Sequence, residues 1–116
     1  MKRYKIVYSD GARKDILDII DYIETTYNNP LDAAKIATKL FKKCESLAVF
    51  PKGSPIHHID NLIREYRFVH FKKYTIVYYV NSSRFEVIIQ AIINSGRDIE
   101  SMLNHDSNIT KMSHSQ

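Results

Sequence analysis

The sequence is poor in cysteine and has no long apolar run. Its single thiol, Cys44, cannot form an internal disulfide, and this cysteine usage is typical of a protein in the reducing cytoplasm. No apolar stretch approaches the roughly 20 residues that a membrane-spanning helix needs. The first residues also lack the apolar core of a signal peptide. We therefore expect a cytoplasmic protein with no membrane partner, in which Cys44 is buried on an apolar helix face.

Low-complexity segments and metal-ligand patterns are also missing. The apolar content of 44% favours a folded globule over a disordered chain. A length of 116 residues fits one domain with a modest core. His57 and His58 are adjacent, but no carboxylate pair lies at ligand spacing from them. The sequence therefore predicts no metal site.

The formal charge of +4 is distributed unevenly along the chain. Residues 51–97 contain seven Lys or Arg and three Asp or Glu, whereas residues 98–116 contain one Lys and three Asp or Glu. A basic central region favours a polyanion or an acidic peptide as a partner. The alternative is a basic surface that is simply solvated.

Two amphipathic helices are predicted in the first half of the chain. The first covers about residues 11–27, with Ser9 or Asp10 as its N-cap. The second covers residues 31–49 and follows Pro30, which suits the first position of a helix. So short a connection favours antiparallel packing of the two helices as a hairpin. Their apolar stripes, spaced by three and four residues, contain Ala12, Ile16, Ile19, Ile20, Ile23 and Tyr27, then Ala33, Ile36, Ala37, Leu40, Cys44 and Leu47.

Three β-strands are predicted after a loop at residues 51–61. Residues 64–71, 74–80 and 85–93 are rich in β-branched and aromatic side chains, and polar turns separate them. Alternation along the first of these strands assigns its side chains to two faces. One face carries Tyr66, Phe68 and His70, and the other carries Arg67, Val69 and Phe71. We expect His70 to face the helices or the rim of the sheet, and the arginines to lie on the side that the helices leave uncovered.

The predicted fold is α+β with the element order β-α-α-β-β-β. An N-terminal strand at residues 4–8 adds to an edge of the sheet. The antiparallel helical hairpin covers one face, and a three-stranded antiparallel meander completes the sheet. A single domain covers residues 1–103, with a short helical turn at residues 98–103. The polar residues 104–116 are expected to form a flexible tail.

Several short motifs follow one another along nearly the whole chain. They are Ala12-x-x-Asp15-Ile16-x-x-Ile19-x-x-Tyr22-Ile23, Leu47-x-x-Phe50-Pro51 with Gly53, Arg67, Tyr74-x-Ile76-x-Tyr78, and Ser95-Gly96-Arg97-Asp98. In their order and spacing, the chain resembles the RelE/ParE superfamily of toxins from bacterial type II toxin–antitoxin systems. The resemblance extends over about residues 4–103.

The resemblance implies a growth-inhibiting toxin of the plasmid stabilization type that a cognate antitoxin neutralises. ParE-like toxins poison DNA gyrase by binding it. RelE-like toxins are ribosome-dependent mRNA endoribonucleases that use a 2′-hydroxyl nucleophile and need no metal or cofactor. The ParE-like interpretation is favoured here, and RelE-like cleavage and a non-toxic antitoxin-binding module are the alternatives. The antitoxin is expected to lay an acidic, amphipathic segment over the hairpin and the basic sheet face, and DNA is expected to be bound only through the antitoxin complex.

The resemblance also implies a set of site residues. Arg67 matches a basic residue on the middle strand, and Arg97 matches the arginine after the last strand; both would stabilise negative charge in a nuclease transition state. His70 is a candidate general base. The chain departs from RelE-type nucleases at Thr75, where they carry a further arginine. It also departs in the C-terminal segment, where some carry a tyrosine and this chain has Leu103 or no counterpart. The residues expected to bind a partner or nucleic acid are Arg64, Lys72, Lys73 and Tyr79.

Overall fold

A computed structural model describes residues 3–57 and 64–96 of the chain. Its elements in chain order are β1 (Lys5–Tyr8), α1 (Asp10–Tyr27), α2 (Pro30–Ser46), β2 (Ile56–His57), β3 (Tyr66–Phe71), β4 (Tyr74–Asn81) and β5 (Glu86–Asn94). Arg97, the predicted helical turn at residues 98–103, and the tail at residues 104–116 lie outside the described residues. The predicted α+β class and helical hairpin are confirmed.

Side-chain caps fix the starts of both helices. The Ser9 hydroxyl accepts a hydrogen bond from the Ala12 N–H at 3.0 Å, so Ser9 rather than Asp10 is the N-cap of α1. The Asn29 side chain accepts bonds from the first backbone N–H groups of α2, and Pro30 takes the first helical position as predicted. Asn28 between the helices has a φ of 50°, a left-handed conformation that asparagine tolerates well. These local signals are sufficient to end one helix and begin the next within three residues.

The sheet has five strands in the order β1-β5-β4-β3-β2. Strands β2 to β5 pair in antiparallel fashion, whereas β1 pairs parallel to β5 with Lys5 opposite Glu86. The predicted edge position of β1 is therefore confirmed. The two-residue strand β2 lies at the other edge, within the stretch that was predicted as loop.

One face of the sheet packs against the helical hairpin and contains most of the core. We call this the helix-side face, and the opposite one the second face. On the second face, Tyr66, Val77, Ala91 and Ile93 are buried, with Phe68 and Tyr79 packed against them. The helix-side cluster consists of Ala12, Ile16, Ile19, Ile23, Ala33, Leu40, Cys44, Leu47, Tyr74, Ile76, Tyr78, Val87, Ile89 and Ile92, so that Cys44 is buried as expected.

A β-bulge in β5 joins the sheet to the start of α1. Tyr78 pairs with Ile89 while Val77 pairs with Ala91, so Gln90 is an extra residue without a partner on β4. The Gln90 carbonyl accepts a bond from the Ser9 hydroxyl at 2.9 Å. Two residues further on, the Ile92 N–H donates to the Asp15 carboxylate at 3.0 Å. The bulged backbone groups are thus bound by α1 and by the residue that caps it.

Candidate functional site

Arg67 lies on the helix-side face of the sheet. It pairs across the β3–β4 ladder with Tyr78, which belongs to the helix-side core, and directly paired residues share a face. Its guanidinium donates to the Lys52 carbonyl at 3.3 Å and to the Ser54 carbonyl. The expectation that this arginine projects from the uncovered side is therefore wrong, because strand register assigns it to the side where the loop after α2 returns to the sheet.

Arg67 and Tyr78 together fix that loop. The buried Tyr78 hydroxyl donates to the Pro51 carbonyl at 2.8 Å, one residue before the first carbonyl that Arg67 binds. A loop backbone has carbonyls that no ladder satisfies, and here two side chains from adjacent strands satisfy three of them. Arg67 therefore has a structural role in addition to any function.

His70 lies on the second face, near the turn between β3 and β4. Its Nδ1 is 3.0 Å from the Thr75 hydroxyl oxygen, which is in turn 2.8 Å from the Ser95 hydroxyl oxygen. Thr75 has no solvent exposure, whereas His70 and Ser95 are exposed. Of the two positions expected for His70, the helix side is wrong. The ring is held at the rim by a chain of two hydroxyls.

Arg64 and Tyr79 meet at the opposite end of the second face. The Arg64 guanidinium carbon lies 4.6 Å from the centroid of the Tyr79 ring, within range of a cation–π interaction. Tyr66 contacts the same ring edge-on, with the ring centroids 5.9 Å apart. Tyr79 therefore lies on the opposite face from Tyr78, and its predicted stacking on a base stays a prediction.

Lys72 and Lys73 form the turn between β3 and β4. The Lys73 ammonium nitrogen lies 4.2 Å from the Tyr22 ring centroid and 5.6 Å from that of Tyr74, both on the helix side. A hydrogen bond between Tyr22 and Lys73 lowers the pKa of the Tyr22 phenol and raises the pKa of Lys73. Tyr22 and Lys73 border a cleft of about 340 Å³. Its lining residues are Asp15, Asp18, Ile19, Tyr22, Lys73, Tyr74, Ile92, Ile93 and Asn94.

The structure disperses the residues that the sequence analysis grouped as a site. Arg67 and Lys73 are on the helix side, and Arg64 is on the second face at the end away from His70. Arg97 lies outside the described residues. Across residues 3–57 and 64–96, no three His, Cys, Asp or Glu side chains are placed to hold a metal ion. Among the helices in the same ranges, none has the length and apolar character needed to cross a membrane.

The hydroxyl chain behind His70 was not recognised from the sequence. Thr75 was singled out only as a departure from a pattern, and Ser95 only as part of a motif. A two-residue turn at Lys72 and Lys73 pairs Phe71 with Tyr74 and therefore His70 with Thr75. That register was available from the sequence. To predict the contact between Thr75 and Ser95, the pairing of β4 with β5 must also be known.

Comparison with known proteins gives the family. Residues 6–99 match the family model described as the ParE toxin of type II toxin-antitoxin system, parDE. Comparison with curated proteins finds no match. Among solved structures, the chain is similar to one from the chromosomal ParDE system of P. aeruginosa, with a TM-score of 0.64 and 14% identity over 79% of this chain and 96% of that one.

A second similar structure comes from the toxin–antitoxin complex RelBE2 of Mycobacterium tuberculosis. Its TM-score is 0.58, with 14% identity over 81% of this chain and 93% of that one. At such identities the two structures support the fold alone. The family match covers most of the sequence, and it agrees with the strand–hairpin–sheet order described above. The chain belongs to the ParE toxin family of type II toxin–antitoxin systems, within the RelE/ParE superfamily.

Proposed function

We propose that the protein is a growth-inhibiting toxin that a cognate antitoxin neutralises. The family match over residues 6–99 is the observation that carries this proposal. The two similar structures come from toxin–antitoxin systems, which supports an antitoxin as the partner here. Exposed apolar side chains on and next to the helical hairpin offer a surface for such a partner.

The antitoxin surface is argued from apolar side chains that the fold leaves in water. Leu31 is 74% exposed, Phe50 is 67% exposed and Leu17 is 65% exposed, although each is large enough to belong in a core. Large exposed apolar side chains often mark a protein interface. An amphipathic antitoxin segment would bury such side chains and place its acidic residues near the basic ones of the sheet region.

For the cellular target, we favour DNA gyrase and inhibition by binding. Arg67 is engaged by the Lys52 and Ser54 carbonyls, and the Lys73 ammonium lies over the Tyr22 ring on the helix side, so neither cation is placed beside His70. A metal-independent nuclease needs a group of cations to stabilise the charge that develops on the phosphate. These observations support a toxin that acts without breaking a bond.

RelE-like cleavage of mRNA is the second candidate, and one observation favours it. His70 is exposed and is held by Thr75 in a fixed orientation, as a general base requires. The two candidates differ in what purified toxin does. A gyrase poison inhibits supercoiling and traps gyrase–DNA complexes, whereas a nuclease cuts mRNA only when ribosomes are present.

Induced expression in a bacterial host tests the toxin proposal. We expect growth arrest by the chain alone, and normal growth when the antitoxin gene from the same locus is expressed with it. Normal growth at high soluble expression of the chain alone would contradict the proposal and would favour the antitoxin-binding module.

Paired assays on the purified chain then test the target. We expect inhibited supercoiling and intact mRNA, with His70→Gln as active as the unaltered chain against gyrase. Ribosome-dependent mRNA cleavage that His70→Gln abolishes would establish the second candidate instead.

A further inference from the structure

Four apolar side chains lie at the edge of the sheet where β1 begins. The Phe85 ring packs against the Tyr4 ring, with the two centroids 5.3 Å apart. The Tyr4 N–H donates to the Ala48 carbonyl at 2.8 Å, so the chain brings Val49 and Phe50 to the same edge. Phe85 is 40% exposed, Val49 is 36% exposed, and Phe50 is exposed further still. We call Tyr4, Val49, Phe50 and Phe85 the β1-entry patch.

Phe85 has a backbone conformation that a large side chain rarely adopts. Its φ is 52°, in the left-handed region that glycine and asparagine enter at lower cost. It ends the turn between β4 and β5, where its N–H donates to the Ser82 carbonyl at 3.4 Å and its carbonyl accepts from the Lys5 N–H at 2.8 Å. Packing on Tyr4 offsets part of the strain, yet much of the ring stays in water. Strained residues of this kind concentrate at functional sites, which suggests a use for the exposed part of the ring.

Positive charge borders the β1-entry patch. Within four residues of its members, the sequence has five Lys or Arg and two Glu. The described and exposed cations among them are Arg3, Lys5, Lys52 and Arg84. Both acids are engaged, because Glu86 lies 3.7 Å from Arg84 and Glu45 accepts a bond from the Tyr8 hydroxyl at 2.7 Å. This surplus of positive charge opposes pairing with a second copy of the chain and favours an acidic partner segment.

We propose that the β1-entry patch is a docking site for the antitoxin, which packs an apolar side chain against Phe85 from a segment rich in Asp and Glu. This inference rests on the proposed function and adds the residue that anchors the complex. Aromatic side chains often contribute much of the binding energy of an interface, whereas rim charges mainly set the rate of association. The turn that carries Phe85 is hydrogen-bonded to β1, so the partner meets a ring that is already in place.

The test measures binding of the full chain to the antitoxin encoded at the same locus, by surface plasmon resonance. Phe85→Asn removes the ring and leaves a residue that tolerates the left-handed conformation. We expect the affinity to fall at least about tenfold. The melting temperature of the variant should stay within about 5 °C of that of the unaltered chain, because relief of the backbone strain offsets the lost packing on Tyr4.

Phe41→Ala is the matched control. Phe41 is also 40% exposed and also contacts a tyrosine, with its ring centroid 6.1 Å from that of Tyr8, but it lies on α2 near the other end of β1. We expect a loss of affinity of less than about fivefold. Arg3→Gln tests the rim, and it should slow association, with little change in the rate of dissociation. The association rate of the unaltered chain should fall as salt is added.

The outcomes separate this proposal from the proposed function. An antitoxin that does not bind the unaltered chain would contradict the proposed function, and the docking site with it. Normal binding of the unaltered chain, with undiminished affinity in Phe85→Asn or with equal losses in Phe85→Asn and Phe41→Ala, would overturn the docking site alone. Phe50→Ala gives a second measurement on a more exposed side chain, and its affinity should also fall. A dimer of the chain alone that Phe85→Asn dissociates would assign the patch to a second copy and overturn the proposal.

Discussion

At the scale of single residues, the two side chains that hold the loop after α2 have different environments. Tyr78 is fully buried and has one hydroxyl donor for the Pro51 carbonyl, whereas Arg67 is half-buried and spreads its donors over two carbonyls. A guanidinium carries five donors in a fixed fork, so it suits a bend in the backbone where carbonyls converge. Lysine has the same charge but lacks the fork.

Replacing Arg67 by alanine should therefore reduce stability. We expect the free energy of unfolding to fall by about 1 to 2 kcal/mol, because the Lys52 and Ser54 carbonyls lose their donors. Urea denaturation measures this change. The free energy of unfolding of Arg67→Lys should lie between those of the unaltered chain and Arg67→Ala. The double variant Arg67→Ala with Tyr78→Phe should lose less stability than the sum of the two single losses, because both side chains hold one loop. A loss of toxicity in Arg67→Ala with an unchanged urea midpoint would instead identify Arg67 as a direct contact to the target.

Cys44 makes stability depend on alkaline pH. Burial, with a smaller effect of the Glu45 charge, raises the pKa of its thiol from 9.0 to about 12. The folded protein therefore keeps the thiol protonated where the unfolded chain ionises it, so its contribution is complete below pH 9.0 and is lost as pH rises toward about 12. Burial and the hydrogen bond to Glu45 raise the pKa of Tyr8 in the same direction.

Urea midpoints measured through this window should fall with rising pH, and Cys44→Ala should show a smaller fall than the unaltered chain. A midpoint that rises with pH above 9 would contradict the sign of the effect.

At the scale of elements, most boundaries follow from short-range signals in the sequence. Ser9, Asn29 and Pro30 are N-cap and N1 residues with well-understood chemistry, and the apolar spacing identified both helices. Period-two alternation separated the faces of β3 correctly. It did not say which face the helices cover, because that depends on how the hairpin crosses the sheet between β1 at one edge and β2 at the other. Arg67 was assigned to the wrong side for this reason.

The contacts at the β5 bulge could not be predicted from the sequence for a related reason. Nothing local marks Gln90 as an extra residue, since the apolar run of β5 continues through it. Its position is fixed by Ser9 and Asp15, about eighty residues earlier in the chain. The candidate site also combines a residue that local sequence identifies with one that only the tertiary fold brings to it. His70 was recognised from its own strand, whereas Ser95 joined it through β5.

The two N-caps should therefore differ in importance. Asn29→Ala removes only a cap and should cost about 1 kcal/mol. Ser9→Ala removes a cap and also the bond to the Gln90 carbonyl, and we expect about 2 kcal/mol. Thermal or urea unfolding of the two variants under the same conditions makes the comparison. Equal losses would indicate that the tie between α1 and the bulge contributes little.

At the scale of the whole molecule, one helix-side core is shared by both helices and the central strands. Elements that share a core lose their packing together, so the hairpin has no apolar face of its own to remain folded on. Domains of this size generally unfold in one cooperative step. Circular dichroism of the helices and fluorescence of the tyrosines should give coincident transitions.

Two leucines on α2 allow this to be tested. Leu40 is 1% exposed and Leu31 is 74% exposed. Leu40→Ala should lower the free energy of unfolding by about 3 kcal/mol and shift both transitions together. Leu31→Ala should change it by less than about 0.5 kcal/mol. Separation of the helix signal from the tyrosine signal in Leu40→Ala would show that the hairpin and the sheet unfold as independent units.

The parallel pairing of β1 with β5 has a consequence for protein synthesis. Residue 5 meets its ladder partner only when residue 86 has left the ribosome, so the first strand waits while the intervening residues are added. At about 5 to 20 residues per second, that delay lasts roughly 4 to 16 seconds. During this delay β1 lacks its neighbour in the sheet, and both helices lack the strands that complete their shared core. The complete sheet, and any binding surface that depends on it, can therefore form only after residue 86 has emerged.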